Sequence, residues 1–128
     1  MKLIKLSINK LSDSYSIEIV EKEFSKAVNE KWKRNPPWQR YQRRLLQDLA
    51  ILEEQKFNAI GLEGFEKLET NSDLYSIRHP QTAKNVRVIF TFYEGSIVLL
   101  KAFLEKTNGD YKRAIKTAEK RLRWLKAD

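Results

Sequence analysis

The sequence predicts an α+β fold, in which a small antiparallel-dominated sheet of about four strands accompanies two N-terminal helices and one C-terminal helix. Three β-type runs follow one another between Asp73 and Lys106, and a tight turn at Glu94-Gly95 joins the last two, which is a hairpin signal. Segments with apolar residues at helical spacing precede and follow this block. The order predicts helices on one face of the sheet and an opposite face that is open to a ligand.

Length and composition indicate one domain that spans residues 1–128. The chain has 128 residues, of which 41% are hydrophobic and 33% are charged, so it is long enough to bury a core of its own. Cysteine is absent and a single histidine is present. This composition excludes disulfides, thiolate zinc sites and histidine-rich metal sites.

The charge pattern predicts a soluble cytoplasmic protein with an anionic partner. No apolar run approaches the roughly 20 residues of a membrane span. Lysines interrupt the first eleven residues, which therefore lack the apolar block of a secretory signal. The net charge of +8 favours nucleic acid or an acidic protein as a partner, although a merely basic domain is an open alternative.

The N-terminal segments predict a strand and a first helix. Residues 1–13 are compatible with a short strand, with packing against the domain edge or with a flexible lead-in. Tyr15 to Val20 alternates as a strand does, and helical spacing then continues to Asn35-Pro36-Pro37, where proline stops the helix. The apolar stripe of this helix comprises Phe24, Ala27, Val28 and Trp32.

A second helix is predicted to begin at Pro37 and to run to about Gln55. Three arginines near its start and two glutamates near its end oppose the helix dipole, so the helix must rely on packing. The arginines, Arg40, Arg43 and Arg44, are either a solvated surface or a functional cluster. Two glycines within residues 57–70 predict a connecting loop into the sheet. The apolar stripe of the second helix comprises Trp38, Tyr41, Leu45, Leu49 and Leu52.

Two arginines lie within strands that are otherwise apolar. Side chains alternate between the faces of a strand, so Arg87 points away from Val86 and Val88, and Arg78 shares a face with Ser76. A charge that is buried without a partner is costly. Each arginine therefore either has a carboxylate partner or lies on an open face that meets an anion.

The last helix is predicted from about Asp110 to Lys126, because Thr107-Asn108-Gly109-Asp110 has helix-start chemistry. The helix is amphipathic, with one apolar face and a basic face opposite to it. The apolar face comprises Tyr111, Ala114, Ile115, Ala118, Leu122 and Leu125, and the basic face Lys112, Arg113, Lys116, Lys120 and Arg123.

The order of these elements resembles the RelE/HigB superfamily of bacterial toxins, and within it the phage-derived HigB-like branch. The resemblance covers roughly residues 15–125. Ala118 and Arg121, three apart on the last helix, match one of its motifs. The other motifs are Leu74-Tyr75-Ser76-Ile77-Arg78, Val86-Arg87-Val88 and the run from Ile97 to Lys106.

The resemblance implies a RelE-like fold and the toxin of a type II toxin–antitoxin system. Toxins of this superfamily mostly cleave messenger RNA in the ribosomal A site, and they use no metal. We therefore expect a metal-free, ribosome-dependent endoribonuclease without a cofactor. The implied partners are mRNA, the ribosome and a cognate antitoxin protein.

Metal-free RNA cleavage needs a base for the ribose 2′-hydroxyl, cations for the phosphate charge and an acid for the leaving oxygen. The resemblance assigns the scissile phosphate to Arg87 and a phosphate clamp to Lys106. It places Tyr111 or Lys112 near a family tyrosine that stacks on a base or takes part in acid–base chemistry. His79 is a candidate acid or base, because histidine has an unperturbed pKa near neutrality. The expected RNA-binding residues are Arg78, Lys112, Lys116 and Arg123, although the resemblance also matches Arg78 to an arginine that often supports the fold.

Each catalytic candidate also has a structural alternative. Arg87 could form a salt bridge to a carboxylate, Lys106 could be a solvated strand-end lysine, and Tyr111 fits the core stripe. His79 could be a surface or capping residue before Pro80.

Two other function classes stay open. The first is a non-enzymatic protein of the same fold that binds gyrase, another protein partner or nucleic acid, and a scarcity of acid–base residues around the sheet supports it. The second is a basic RNA- or DNA-binding module without toxicity, whose affinity would fall steeply with salt.

Overall fold

The computed structural model describes residues 1–7, 10–28, 38–78 and 85–127. Within them lie six strands, three helices and one short 3₁₀ turn at Lys56–Ala59. The helices are α1 (Val20–Val28), α2 (Trp38–Gln55) and α3 (Asn108–Lys126). The strands are β1 (Leu3–Lys5), β2 (Ser14–Ile17), β3 (Phe65–Lys67), β4 (Tyr75–Arg78), β5 (Val86–Tyr93) and β6 (Ser96–Leu104).

The α+β class and the dominance of antiparallel pairing are confirmed, but the predicted number of about four strands is wrong. The described strands form one six-stranded sheet in the order β1-β2-β6-β5-β4-β3. The sheet is mixed, because β2 pairs with β6 in parallel while the other neighbours are antiparallel. The predicted loop at residues 57–70 contains β3, a strand of three residues that is too short to show an alternating pattern.

Helices cover both faces of the central strands, so the predicted open sheet face is also wrong. All residues from Val86 to Thr91 of β5 are buried. Val86 and Val88 lie beneath α1 and α2, where Tyr41 of α2 shares a cavity wall with them. The residues between them point to the opposite face, where α3 packs. Helix α3 buries an apolar stripe of its own, comprising Ala114, Ala118, Leu122 and Leu125.

The predicted local signals at the hairpin and at α3 are confirmed. Glu94 and Gly95 join β5 to β6, both with positive φ (52° and 83°), as a two-residue type I′ turn requires. Thr107 caps α3 in a capping box with Asp110. Helix α2 ends at Gln55, as its apolar stripe predicts. The predicted end of the first helix, near Trp32 and Asn35-Pro36-Pro37, lies outside the described residues.

The N-terminal segment is attached to α2 through one glutamate. The carboxylate of Glu53 accepts hydrogen bonds from the backbone N–H groups of Ser12 and Asp13 (3.0 and 2.9 Å) and from the hydroxyl of Ser14 (2.6 Å). Burial raises the pKa of Glu53, but these hydrogen bonds outweigh it and keep the pKa below its ordinary value. Strand β1 pairs with β2 just before this point, so residues 3–5 form a short strand.

A second carboxylate joins three elements in what we call the helix-joining cluster, namely Glu23, Lys101 and Arg121. Glu23 of α1 receives two hydrogen bonds from Arg121 of α3 (2.9 Å each) and one from Lys101 of β6 (2.8 Å). It also accepts the backbone N–H of Ala102, at a part of β6 that β2 does not reach (3.3 Å). Arg121 donates to the carbonyl of Leu100 at 2.7 Å. The cluster therefore fixes α1 and α3 to the same strand.

No helix in the described part of the chain is both long and apolar enough to cross a membrane.

Candidate functional site

Arg78 and Arg87 lie directly opposite each other on adjacent antiparallel strands. The register of β4 and β5 pairs Arg78 with Arg87, so both side chains project from the same face of the sheet. Like charges in this position destabilise a sheet unless anions balance them. The pair lies at the end of the sheet where β4 ends and β5 begins, close to the first turn of α3.

Arg87 is the balanced member of this pair. Its side chain is about 5% exposed and forms ion pairs with Glu66 of β3 and with Glu105, which follows β6 (2.9 Å for Glu105). Its guanidinium group also lies over the ring of Tyr111, 4.9 Å from the ring centre. Its Nε atom is buried without a hydrogen-bond partner. Of the two possibilities that the sequence left open, Arg87 has carboxylate partners.

Arg78 is the unbalanced member. Among the described residues its side chain takes part in no ion pair, although it is partly buried. Its Nε atom is buried and has no hydrogen-bond partner. The backbone N–H of Arg78 donates to the carbonyl of Gly64 (2.7 Å), which fixes the strand but leaves the guanidinium group uncommitted. The sheet end therefore carries a cation that its own carboxylates do not neutralise.

Glu66 and Glu105 are the functional candidates that the sequence reasoning missed. Both oxygens of Glu105 are engaged, one by Arg87 and one by the amide of Asn85, and its side chain is 21% exposed. The Glu66 side chain is 40% exposed, and one of its oxygens accepts both Arg87 and the hydroxyl of Ser76 (3.1 Å for Ser76). Glu66 is thus the carboxylate of this group that is more accessible to a ligand.

We call this group the sheet-end cluster and define it as Glu66, Arg78, Arg87, Glu105 and Tyr111. It combines residues of three strands, the segment after β6 and the first turn of α3. Chemically, it offers an accessible carboxylate beside one paired and one unpaired guanidinium group. Such a set could accept a proton and bind an anion.

The structure brings some predicted site residues to this cluster and leaves others apart. Tyr111 belongs to it through its contact with Arg87. Lys106 is exposed next to Glu105 in the chain, and its backbone N–H donates to Asp110 (3.0 Å). That bond and a second one from Thr107 hold the pKa of Asp110 below its ordinary value. His79 lies outside the described residues.

The predicted RNA-binding residues of α3 form a continuous exposed surface. Lys112, Lys116 and Arg123 are all exposed and lie on the side of α3 away from its buried stripe. We call them the α3 basic face. In the residues that the structure describes, no group of three or more histidine, cysteine, aspartate or glutamate side chains could hold a metal ion.

Comparison with known families decides the class of protein. Residues 31–123, which are more than half of the chain, match the family of phage-derived Gp49-like proteins. The chain belongs to the Gp49-like family. This is a family of RelE/HigB-like toxins associated with toxin–antitoxin systems, so a toxin–antitoxin toxin is the function class that membership supports. No curated protein and no solved structure gives a significant match.

The match to the Gp49-like family contains every member of the sheet-end cluster, from Glu66 to Tyr111. It also contains Lys101 and Arg121 of the helix-joining cluster, but it begins after Glu23. Family membership also implies an antitoxin as a partner of this chain.

Proposed function

We propose that this chain is the toxin of a type II toxin–antitoxin system and that it cleaves messenger RNA on the ribosome without a metal ion. The observation that carries the proposal is the unbalanced arginine pair at the sheet end, with Glu66 accessible beside it. The activity follows the resemblance to RelE/HigB toxins, and membership of the Gp49-like family supports the toxin class.

Arg78 is the residue that we assign to the scissile phosphate. A guanidinium group binds phosphate in a bidentate manner, and Arg78 has no ion-pair partner among the described residues to displace. Arg87 would first have to give up Glu66 or Glu105. We therefore propose roles opposite to those that the resemblance implied, because Arg87 is better suited to orient Glu66 than to contact RNA directly.

Glu66 is the residue that we assign to the 2′-hydroxyl proton. A general base must reach the substrate, and the Glu66 side chain is 40% exposed while Arg87 and Ser76 fix its position. The sequence suggested few acid–base residues around the sheet, and the Glu66 carboxylate supplies a candidate. His79 and Tyr111 are the candidates for protonating the leaving oxygen, and Lys106 for a phosphate clamp.

The α3 basic face, with Lys112, Lys116 and Arg123, is the surface that we assign to the RNA backbone. Exposed lysine and arginine side chains bind phosphate groups without reading the base sequence, and such binding weakens as salt rises. This surface begins within one turn of Tyr111, so the same RNA strand could reach the sheet-end cluster.

The test is inducible expression in a bacterium, with mapping of mRNA 5′ ends for the wild type and for Arg78→Met. The methionine keeps an apolar stem of similar length but removes the charge. We expect growth arrest with new mRNA 5′ ends for the wild type and neither effect for Arg78→Met. A matched control, Lys26→Met, removes an exposed cation of α1 and should behave as the wild type. New 5′ ends of equal abundance in Arg78→Met would contradict the assigned role.

A second candidate function is a non-enzymatic toxin of the same fold that binds a protein target such as gyrase. The observation that favours it is the burial of Arg87 between two carboxylates, which is the arrangement of a structural ion pair. This alternative predicts growth arrest with intact mRNA, so the same 5′-end mapping separates the two candidates.

A further inference from the structure

The first half of α2 carries three arginines that the sheet-end cluster does not use. Arg40, Arg43 and Arg44 are all exposed. None of the ion pairs found among the described residues involves them. Their charges are therefore directed to solvent or to a partner of the protein.

The position of these arginines weakens α2 in the isolated chain. Arg40 lies in the first turn, which holds no acidic residue, so its charge opposes the positive end of the helix dipole. Arg44 follows Arg40 by four residues, and like charges at this spacing repel each other on a helix surface. A local arrangement that costs stability without a compensating contact is typical of a functional surface.

The same arginines form the rim of a cavity beneath α2. The cavity has a volume of about 210 Å³, and its apolar wall is built from Phe24 of α1, Leu45 of α2 and three sheet residues. Among the described residues that line it, Asp48 is the one acidic side chain, and it is 4% exposed. The exposed rim is thus positive, and the interior is mostly apolar apart from Asp48. The three sheet residues are Ile77, Val86 and Val88.

The size and lining of the cavity favour a protein segment over a small molecule or RNA. Its volume lies below the roughly 300–1,000 Å³ of small-molecule pockets, so it suits an inserted side chain. Bases of single-stranded RNA stack on accessible aromatic rings. The two described aromatic residues of the lining, Phe24 and Tyr41, are 3% and 9% exposed, so the cavity offers mainly aliphatic contacts.

We propose that this arginine-rimmed cavity is the docking site of the antitoxin. An acidic amphipathic segment of the antitoxin places an aliphatic side chain in the cavity and sets aspartate or glutamate side chains against Arg40 and Arg44. An apolar anchor between charged contacts is a common arrangement for a peptide segment in a groove. The inference rests on the proposed function, because a toxin implies an antitoxin.

The location of the cavity separates antitoxin docking from the sheet-end cluster. Val86 and Val88, which line the cavity, point to the face of β5 that α2 covers, whereas Arg87 points to the opposite face. The docked segment therefore leaves Arg78 and Glu66 uncovered and does not block the sheet-end cluster itself. Either another part of the antitoxin blocks it, or the docked segment keeps the toxin from the ribosome.

The experiment uses the full chain and the protein encoded beside its gene, together with synthetic 20-residue peptides that tile that protein. Binding is measured by calorimetry for the wild type, for Arg40→Glu/Arg44→Glu and for the matched control Lys22→Glu/Lys26→Glu. The control changes the same number of charges at the same helical spacing on an exposed face of α1. Residue-level NMR shifts then locate the peptide that binds best.

We expect an acidic tile to bind the wild type and the control with similar dissociation constants, and the α2 variant roughly 100-fold more weakly, as for charge pairs in other interfaces. NMR shifts should concentrate at residues 40–48 and at Val86 and Val88. Glutamate at position 40 suits the helix dipole, whereas glutamate at position 44 lies four residues from Asp48, so the melting temperature of the α2 variant is measured beside that of the wild type. Weak binding by a variant that is folded at the temperature of the titration supports the docking site.

Equal binding of the α2 variant, shifts centred on α3, or binding of an RNA oligonucleotide in the α2 cavity would each overturn the docking site. So would failure of every tile to bind while the full partner binds. Growth arrest separates the two proposals. A wild type that binds its acidic tile at α2 but does not arrest growth supports the docking site and refutes the toxin, whereas arrest with equal binding of the α2 variant does the reverse.

Discussion

The two charged clusters of this protein are built from similar residues but differ in how completely they are paired. In the helix-joining cluster, Glu23 forms ion pairs with both Lys101 and Arg121, and Arg121 also donates a hydrogen bond to a backbone carbonyl. In the sheet-end cluster, Arg87 forms ion pairs with both carboxylates of the cluster. Arg78, directly opposite, has no ion-pair partner among the described residues. We infer that ion pairing, rather than the mere presence of a buried arginine, separates structural from functional candidates.

The contrast extends to what each cluster connects. Glu23, Lys101 and Arg121 belong to α1, β6 and α3, so their ion pairs fix helices to the sheet. Glu66 belongs to the edge strand β3 and Arg78 ends β4, and the Glu66 side chain is 40% exposed. We therefore expect substitutions in the first cluster to change mainly the free energy of unfolding, and substitutions in the second to change mainly activity.

The largest effect is expected for Glu66→Gln. Because a positioned general base contributes roughly 10²–10⁴-fold to a rate, mRNA cleavage in a ribosome-containing translation reaction should fall by about that factor. The matched control is Glu63→Gln, an exposed glutamate three residues earlier, which should cleave as the wild type does. A Glu66→Gln variant with the full wild-type rate would remove Glu66 from the proposed chemistry.

The second effect is a loss of stability in the helix-joining cluster. Removal of Arg121 leaves the part-buried carboxylate of Glu23 with Lys101 alone, so Arg121→Ala should lower the free energy of unfolding by about 3 kcal/mol, as for other broken buried ion pairs. Arg113→Ala is the control, since its ion pair with Asp110 is exposed and should change stability far less than Arg121→Ala does. Urea denaturation measures both. Equal losses in the two variants would mean that the cluster is not structural.

A smaller effect is the pH dependence of the helix-joining cluster. Burial raises the pKa of Glu23, but the hydrogen bonds from Arg121 and Lys101 outweigh it, and the pKa lies below its ordinary value of 4.5. A lowered folded pKa gives stability that is present above the unfolded pKa and is lost as pH falls through the folded pKa. The gap in unfolding free energy between the wild type and Glu23→Gln should therefore narrow from about pH 7 to about pH 3. A difference in unfolding free energy that stays constant over this pH range would contradict the lowered pKa of Glu23.

Local sequence signals predicted part of this structure. The turn at Glu94-Gly95 and the cap at Thr107 depend on residues that are close in the chain, so the local sequence predicts both. The alternation of β4 and β5 also put Arg78 and Arg87 at positions where a partner or an anion is required. The Ala118 and Arg121 motif came from the resemblance, and the structure supplies its physical reason: Ala118 is fully buried and Arg121 pairs with Glu23.

The remaining features depend on contacts between distant segments. Glu66 was missed because β3 has three residues and is defined by its pairing with β4 rather than by a pattern of its own. The parallel pairing of β2 with β6 joins residues about eighty positions apart, which no local window contains. The coverage of both sheet faces likewise follows from where α3 packs. These long-range contacts decide which arginine is paired, so the sequence could not suggest the roles that we propose for Arg78 and Arg87.

The most direct test of the contrast between the clusters is the free energy of unfolding of Arg78→Met, measured by urea denaturation beside the wild type. Arg78 faces Arg87 across the strand pair and has a buried Nε without a partner, so its charge should contribute nothing to stability. We predict that Arg78→Met is as stable as the wild type or more stable, while it loses mRNA cleavage. A loss of more than about 1 kcal/mol would contradict the account, because it would make Arg78 a structural residue like Arg121.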